Sequence, residues 1–237
     1  MYSGTGFYSL ADAARLIRVP TRSIVRWLYG YDYLVTKNGD KQRRHSSPLW
    51  EPEYVSDTFD AKVIGFRDLL ELRIVREFVS NGVPLLVIRR CLETAQQLYG
   101  IPYPMTTHRF STDGKTVFVQ VLREGTEKEM VDLRKRQLVF GDIIKPSLYS
   151  GIEYDREFAR RWYPEGRNRP TIVLDPQQQF GRPIVAEEGV PTDALYSNYK
   201  VEGADQSALG VVARIFEIPI RKVEAAVRFE ENLRLVA

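Results

Sequence analysis

The chain has 237 residues, 43% of them hydrophobic, enough for one sizeable core or two smaller ones, and we expect two. A net charge of +3 is too small for a wholly polybasic protein, so the local distribution of charge carries more information than its sum. The lone cysteine, Cys91, excludes an intrachain disulfide and a thiolate metal cluster within one chain, and no apolar run is long enough to span a bilayer. The N-terminal MYSGTGFYS lacks the basic-then-apolar order of a secretory signal, so a cytoplasmic protein is expected.

Ser9 is a suitable N-cap with Asp12 three residues on, which predicts a helix from Leu10. Leu10, Ala13, Ala14 and Ile17 recur at helical spacing, and Pro20 breaks the pattern. Thr21 is expected to cap a second helix, in which Ile24, Trp27 and Leu28 pack while Thr21, Arg22 and Arg26 stay accessible. This is a helix-turn-helix pattern; the same residues also fit a plain helical hairpin with solvated arginines. Tyr33, Leu34 and Val35 then predict a strand leading to an Asn38-Gly39 turn flanked by Lys37, Lys41, Arg43 and Arg44. Against Asp12, Asp32 and Asp40, these residues with Arg15, Arg18, Arg22 and Arg26 make a basic front lobe, suited to releasing counterions from a phosphate backbone. Leu49 and Trp50 are expected to return the chain to the core. Phe66, Leu69, Leu70, Leu72, Val75, Phe78 and Val79 form an apolar helix face that stops at Asn81-Gly82. A further helix from about Pro84 to Tyr99 is expected to bury Leu85, Ile88, Leu92, Ala95 and Leu98, with Cys91 as a packing residue.

The order of Ser9-Leu10-Ala11-Asp12-Ala13-Ala14, Val19-Pro20, Arg26-Trp27 and the stretch from Phe66 to Arg90 resembles the DNA-binding module of MerR-type transcription factors, a winged helix followed by a helical pair. The resemblance implies that residues 37–44 act as the wing.

Beyond Gly100, His108 to Val121 is predicted as two strands around Asp113-Gly114, with Leu138-Val139-Phe140 as a third, giving a small antiparallel sheet over the helical pair. Residues 146–170 are expected to be a basic and aromatic connector. Its Arg160, Arg161, Arg167 and Arg169, interleaved with Phe158, Trp162 and Tyr163, suit either a partner or an anchoring role. Ile172-Val173-Leu174 and Gly181 to Val185 predict two short strands. Thr192 is expected to cap a helix, Asp205 to cap another, and Ile218-Pro219 to turn the chain into a last one, which makes a second helix-turn-helix.

Asp175, Pro176, Gly181, Pro183, Ile184, Val190, Pro191, Thr192, Val212, Ala213, Phe216, Val223, Ala226 and Phe229 resemble the small antitoxin domain often paired with PIN-type toxins. Ala186-Glu187-Glu188-Gly189 stands where that domain commonly has a Gly-Thr-Arg element. With a winged helix in front, the whole chain resembles the long VapB-type antitoxins. That resemblance implies a cognate PIN-type ribonuclease toxin and repression of the operon encoding both proteins.

His45 and His108 lack partners at metal-motif spacing, and no nucleophile elbow, Walker A loop or dinucleotide fingerprint is present. No enzyme activity, cofactor, metal or small-molecule substrate is therefore expected. The expected fold class is α+β: residues 1–145 as a winged helix-turn-helix domain with helical pair and small sheet, 146–170 as connector, and 171–237 as antitoxin domain. The expected partners are operator DNA, contacted by Thr21, Arg22, Ser23, Arg26, Lys37, Lys41, Arg43 and Arg44, the PIN-type toxin, held by Arg160, Arg161, Arg167 and Arg169, and a second copy in a homodimer. A MerR-like regulator without a toxin is the alternative; an interaction module without a DNA role is another class.

Overall fold

The computed structural model describes residues 6–37, 40–54, 61–124, 149 and 151–235. The class is α+β, with eight α-helices and three small antiparallel sheets among the described residues. Strand β1 (Tyr8–Ser9) pairs with β4 (Val63–Ile64) and delivers the chain into α1 (Leu10–Ile17). As expected, the Ser9 hydroxyl accepts the Asp12 N–H and caps α1. Helix α2 (Thr21–Tyr29) follows a break at Arg18, whose φ is 54°. Its N-cap is Pro20 rather than Thr21: proline presets the entry φ, so threonine falls on the first helical position and makes no capping bond.

Strands β2 (Tyr31–Lys37) and β3 (Asp40–Ser46) form a hairpin; the expected turn, Asn38-Gly39, lies outside the described residues. Helices α3 (Phe66–Ser80) and α4 (Leu85–Tyr99) follow as the apolar periodicity predicts. Leu98 departs from expectation at 50% exposure: it continues the spacing of Val87, Ile88, Cys91, Leu92 and Ala95, but it lies in the last turn of α4, beyond the last buried residue of that face.

Residues His108 to Val121, expected as two strands, belong instead to one helix, α5 (His108–Glu124). Phe110, Gly114, Val117, Phe118 and Val121 are buried at helical spacing, and the Thr107 hydroxyl accepts the Phe110 N–H at 3.1 Å. Packing of that stripe on α4 outweighs the turn preference of Asp113-Gly114, and the glycine lies on the packed side of the helix. The third expected strand, Leu138 to Phe140, lies outside the described residues.

Residues 152–162, expected within a connector, fold as a hairpin of β5 (Ile152–Asp155) and β6 (Phe158–Trp162). It extends through β7 (Ile172–Leu174) to β8 (Pro183–Val185), so the predicted pair of strands is half of a four-stranded sheet. Helices α6 (Thr192–Val201), α7 (Gln206–Ile215) and α8 (Ile220–Arg234) complete the chain. Asp205 caps α7 as expected, accepting the Ala208 N–H at 2.9 Å. Thr192 is not a cap: Pro191 takes that place, and the buried threonine hydroxyl donates to Glu230 Oε1 of α8 at 2.5 Å.

The described residues form two cores. The front one gathers α1 to α5 and extends to Ile152, Trp162 and Leu174, while the rear one holds Ile172, Val185 and the inner faces of α6 to α8. Strand β7 joins them, one end in each, and Leu16 of α1 packs on both. The junction is also hydrogen-bonded: Phe7 N–H donates to the Phe180 carbonyl at 2.9 Å and Tyr8 Oη to the Gly181 carbonyl at 2.7 Å. Gly181 has φ +81° and a Cβ there would lie 2.5 Å from that hydroxyl, so no side chain fits.

Helix α3 carries two buried carboxyls. Asp68 accepts from Trp50 Nε1 at 2.8 Å and from the backbone N–H groups of Glu53 and Gly65 at 3.0 Å each. Glu71 is 1% exposed; its Oε1 accepts the Met105 N–H at 3.1 Å and its Oε2 has no hydrogen-bond partner among the described residues. Burial pushes the Glu71 carboxyl up to about 8 from an ordinary 4.5, and Glu53 up to about 7. A folded-state value above the unfolded one means the fold favours the protonated acid: its contribution is complete below pH 4.5 and is lost as pH rises through 8. The thermal unfolding midpoint should therefore fall between about pH 5 and about pH 9, and Glu71→Gln should flatten that decline. An unchanged slope in the variant would exclude Glu71 as its source.

Candidate nucleic-acid interface

Helix α2 is amphipathic because Ile24, Trp27 and Leu28 recur on one side, which is buried, while Thr21, Arg22 and Arg26 are exposed on the other and Ser23 is half-buried. The hairpin is fastened beside it. The Leu49 N–H donates to the Trp27 carbonyl at 2.7 Å, and Arg89 of α4 donates to the Ser47 carbonyl at 2.6 Å. Gly30, at φ +74°, makes the turn from α2 into β2; a Cβ there would lie 2.6 Å from the Ser46 carbonyl, so the hairpin closes against α2 only with glycine.

Register divides the expected wing residues between two faces. Tyr33 pairs with Arg44, Leu34 with Arg43 and Thr36 with Lys41, and successive side chains alternate. Arg44 thus shares a face with Tyr31 and Tyr33, whose ring centroids are 5.7 Å apart. Arg26 of α2 reaches the same face, its Cζ 5.1 Å above the Tyr31 ring. Lys41 and Arg43 lie on the opposite face with Leu34, Asp32 and His45.

On that second face Asp32 accepts from Arg43 Nη2 at 2.5 Å and lies 2.8 Å from His45 Nδ1. Hydrogen bonds from His45 and then Arg43 hold its carboxyl below the usual range. Arg43 is therefore already engaged, whereas Arg22, Lys41 and Arg44 are exposed and their side chains make no hydrogen bond or ion pair to described residues. The first face offers the more coherent arrangement: Arg22 and Arg26 on a helix, then Tyr31, Tyr33 and Arg44 on an adjoining strand pair. The side chain of Lys37 lies outside the described set. Tyr31 and Tyr33 are absent from the sequence-based set, although strand alternation alone would have placed them with Arg44.

The four arginines expected to meet a protein partner are not one surface. Arg160 and Arg161 alternate on β6, so Arg160 is exposed and Arg161 turns inward. Arg161 Nε donates to Asp175 Oδ2 at 2.7 Å, and Asp175, 1% exposed, also accepts from the Gln177 N–H at 2.9 Å and Gln178 Nε2 at 3.2 Å. This pair clamps β6 to the start of the rear module. Arg167 and Arg169 are exposed in the turns that follow.

Among the described residues no group of three or more His, Cys, Asp or Glu could hold a metal ion, and no helix is long and apolar enough to cross a membrane. Cys91 is buried and burial pushes its thiol up, so the thiolate is suppressed.

No family model matches the chain. It is 24% identical over 196 residues to a protein of Mycobacterium tuberculosis (strain ATCC 25618 / H37Rv) named "Putative antitoxin VapB45", a match covering 77% of this chain and 78% of that protein. Its fold is similar to the crystal structure of Rv2018 from Mycobacterium tuberculosis, with a TM-score of 0.68 and 19% identity over 96% of this chain and 100% of the other.

Removing the inward arginine leaves a desolvated carboxylate with two weaker donors. Arg161→Ala should lower stability by about 2–3 kcal/mol in urea unfolding. A loss near zero would show that the pair contributes nothing beyond its solvent-screened geometry.

Proposed function

We propose that this chain is the antitoxin of a type II toxin-antitoxin pair, which reads operator DNA with its front lobe and holds a PIN-type ribonuclease toxin with its rear lobe. The observation that carries the DNA half is the continuous surface of Arg22 and Arg26 on α2 with Tyr31, Tyr33 and Arg44 on the hairpin. In this reading α2 lies in the major groove, where an arginine fork can bond guanine O6 and N7. The hairpin is the wing, with Arg44 on phosphate or in the minor groove and Lys41 free to bond backbone on the other side. A homodimer would place two such surfaces on a palindromic site.

The antitoxin half is supported by the name of the Mycobacterium tuberculosis relative, whose match spans most of both chains. The rear module adds a second helix pair, α7 and α8, with the same turn chemistry as the front one. Arg18 and Glu217 both have φ 54°, each precedes a buried aliphatic, Val19 or Ile218, and each aliphatic precedes the N-cap proline of the next helix. Its exposed face mixes Arg221, Glu224, Arg228 and Glu231, which suits a protein surface better than phosphate. Nothing in this reading requires the chain to carry out chemistry of its own.

An electrophoretic shift on the DNA upstream of the chain's own coding sequence tests the first half. Arg22→Ala and Arg26→Ala should each weaken operator binding roughly tenfold or more, and Arg44→Ala should reduce the salt dependence by about one unit of slope. Unchanged affinity in the double arginine variant would remove α2 from the interface. For the second half, the product of the adjacent gene should co-purify with the chain and lose ribonuclease activity in the complex. Retention of DNA binding without such a complex would make the protein a plain transcriptional regulator.

A further inference from the structure

Helix α2 and the hairpin meet at a corner formed by Tyr29, Gly30 and Tyr31. The close approach of Gly30 to the Ser46 carbonyl fixes that corner, and Tyr31 pairs with Ser46 at the base of the hairpin. Tyr31 is half-buried and has Tyr33 beside it, 5.7 Å away between ring centroids. Arg26, about one helical turn before the corner, lies with its Cζ 5.1 Å from the centroid of the Tyr31 ring. Its guanidinium makes no hydrogen bond or ion pair to described residues, so the ring contact leaves its N–H donors unspent. Arg22, a further turn back, is also exposed, and among the described residues no ring lies under it.

We propose that Tyr31 positions Arg26 to hold one backbone phosphate of DNA at the corner between α2 and the hairpin, while Arg22 reads base edges. This rests on the operator-reading half of the proposed function and gives its two helix arginines different tasks. With α2 in a major groove and the hairpin at the neighbouring minor groove, the sugar-phosphate strand that separates the two grooves crosses the corner, where Arg26 lies. An arginine side chain loses rotamer freedom when it grips a phosphate, and a ring that already limits where the guanidinium sits lowers that cost before DNA arrives. Arg22 is nearer the N-terminus of α2, the end from which a recognition helix reaches base edges. The ring of Tyr31 rather than its hydroxyl carries the positioning role, because the attraction of a cation to a ring face is shared by tyrosine and phenylalanine and is absent from an aliphatic side chain.

Electrophoretic shift of the full chain on the DNA upstream of its coding sequence, repeated across a range of salt concentrations, tests the assignment. Arg26→Ala should lower the salt slope by about one unit and keep the preference among single-base variants of that DNA, whereas Arg22→Ala should flatten the preference. Tyr31→Phe should bind like the unchanged chain, and Tyr31→Leu should bind about twofold to fivefold more weakly. That loss should vanish when Arg26 is already alanine. A ring needed only to fold the hairpin would make the loss independent of Arg26. Equal binding by Tyr31→Leu and Tyr31→Phe, a Tyr31→Leu loss that persists beside Arg26→Ala, or relaxed base preference with an unchanged salt slope in Arg26→Ala would overturn the proposal while leaving the operator reading in place. Absence of any shift with the unchanged chain would overturn both.

Discussion

The front lobe depends on a carboxylate that water cannot reach. Asp68 sits near the start of α3, and its two oxygens take a proton donor from Trp50, one from the Glu53 backbone and one from the Gly65 backbone. Burial alone pushes that carboxyl up, and the donors offset the penalty. The geometric result matters more than the energy. Trp50 closes the segment that returns from the β2–β3 hairpin, so one acid ties the hairpin's exit to the helix on which the lobe is built. With the Leu49 bond to α2 added, the hairpin is held at both its helices and can present a defined face.

That definition decides what the basic front lobe can do. A count of cations over residues 37–44 suggests a diffuse patch, but pairing register sorts them. One face has Arg44 with two tyrosines and Arg26, while the other has Arg43 already bound to Asp32. Exposed ion pairs contribute little to stability, so the Asp32 cluster is better understood as orienting Arg43 than as stabilising the hairpin. Tyrosines beside arginines combine apolar contact with donors at low entropy cost, a composition suited to a groove.

Local signals in the sequence were sufficient for much of this. The Ser9 and Asp205 caps, the breaks before Pro20 and Pro219, and helices α3 and α4 follow from short-range chemistry and agree with the structure, while the strand expected at Tyr33 to Val35 is longer, Tyr31–Lys37. Errors arose where a distant partner overrode a local preference. Asp113-Gly114 reads as a turn, yet α4 offers a surface to Phe110, Val117 and Phe118 that only a helix can use. Residues 152–162 contain proline- and glycine-flanked basic sequence that reads as a connector, yet β5 and β6 pair with each other, and the hairpin is held in the sheet through Trp162, whose partner Leu174 lies across a loop. The inward turn of Arg161 was likewise invisible, because Asp175 is its partner only once β6 and β7 are paired. Of the candidate interface, residue identity was legible but the division between faces was not.

Leu16 has one further consequence. A side chain that packs on both cores, on a helix that also contacts α8, makes α1 common property of the two lobes. Opening the rear module exposes one side of the first helix of the front pair, and loosening that helix removes a wall from the rear core. Local unfolding therefore cannot stay confined to one end of the chain. Amide protons in α1 and in the second half of α8 should exchange with solvent at matched rates, as members of one cooperative unit, although more than two hundred residues separate them in sequence.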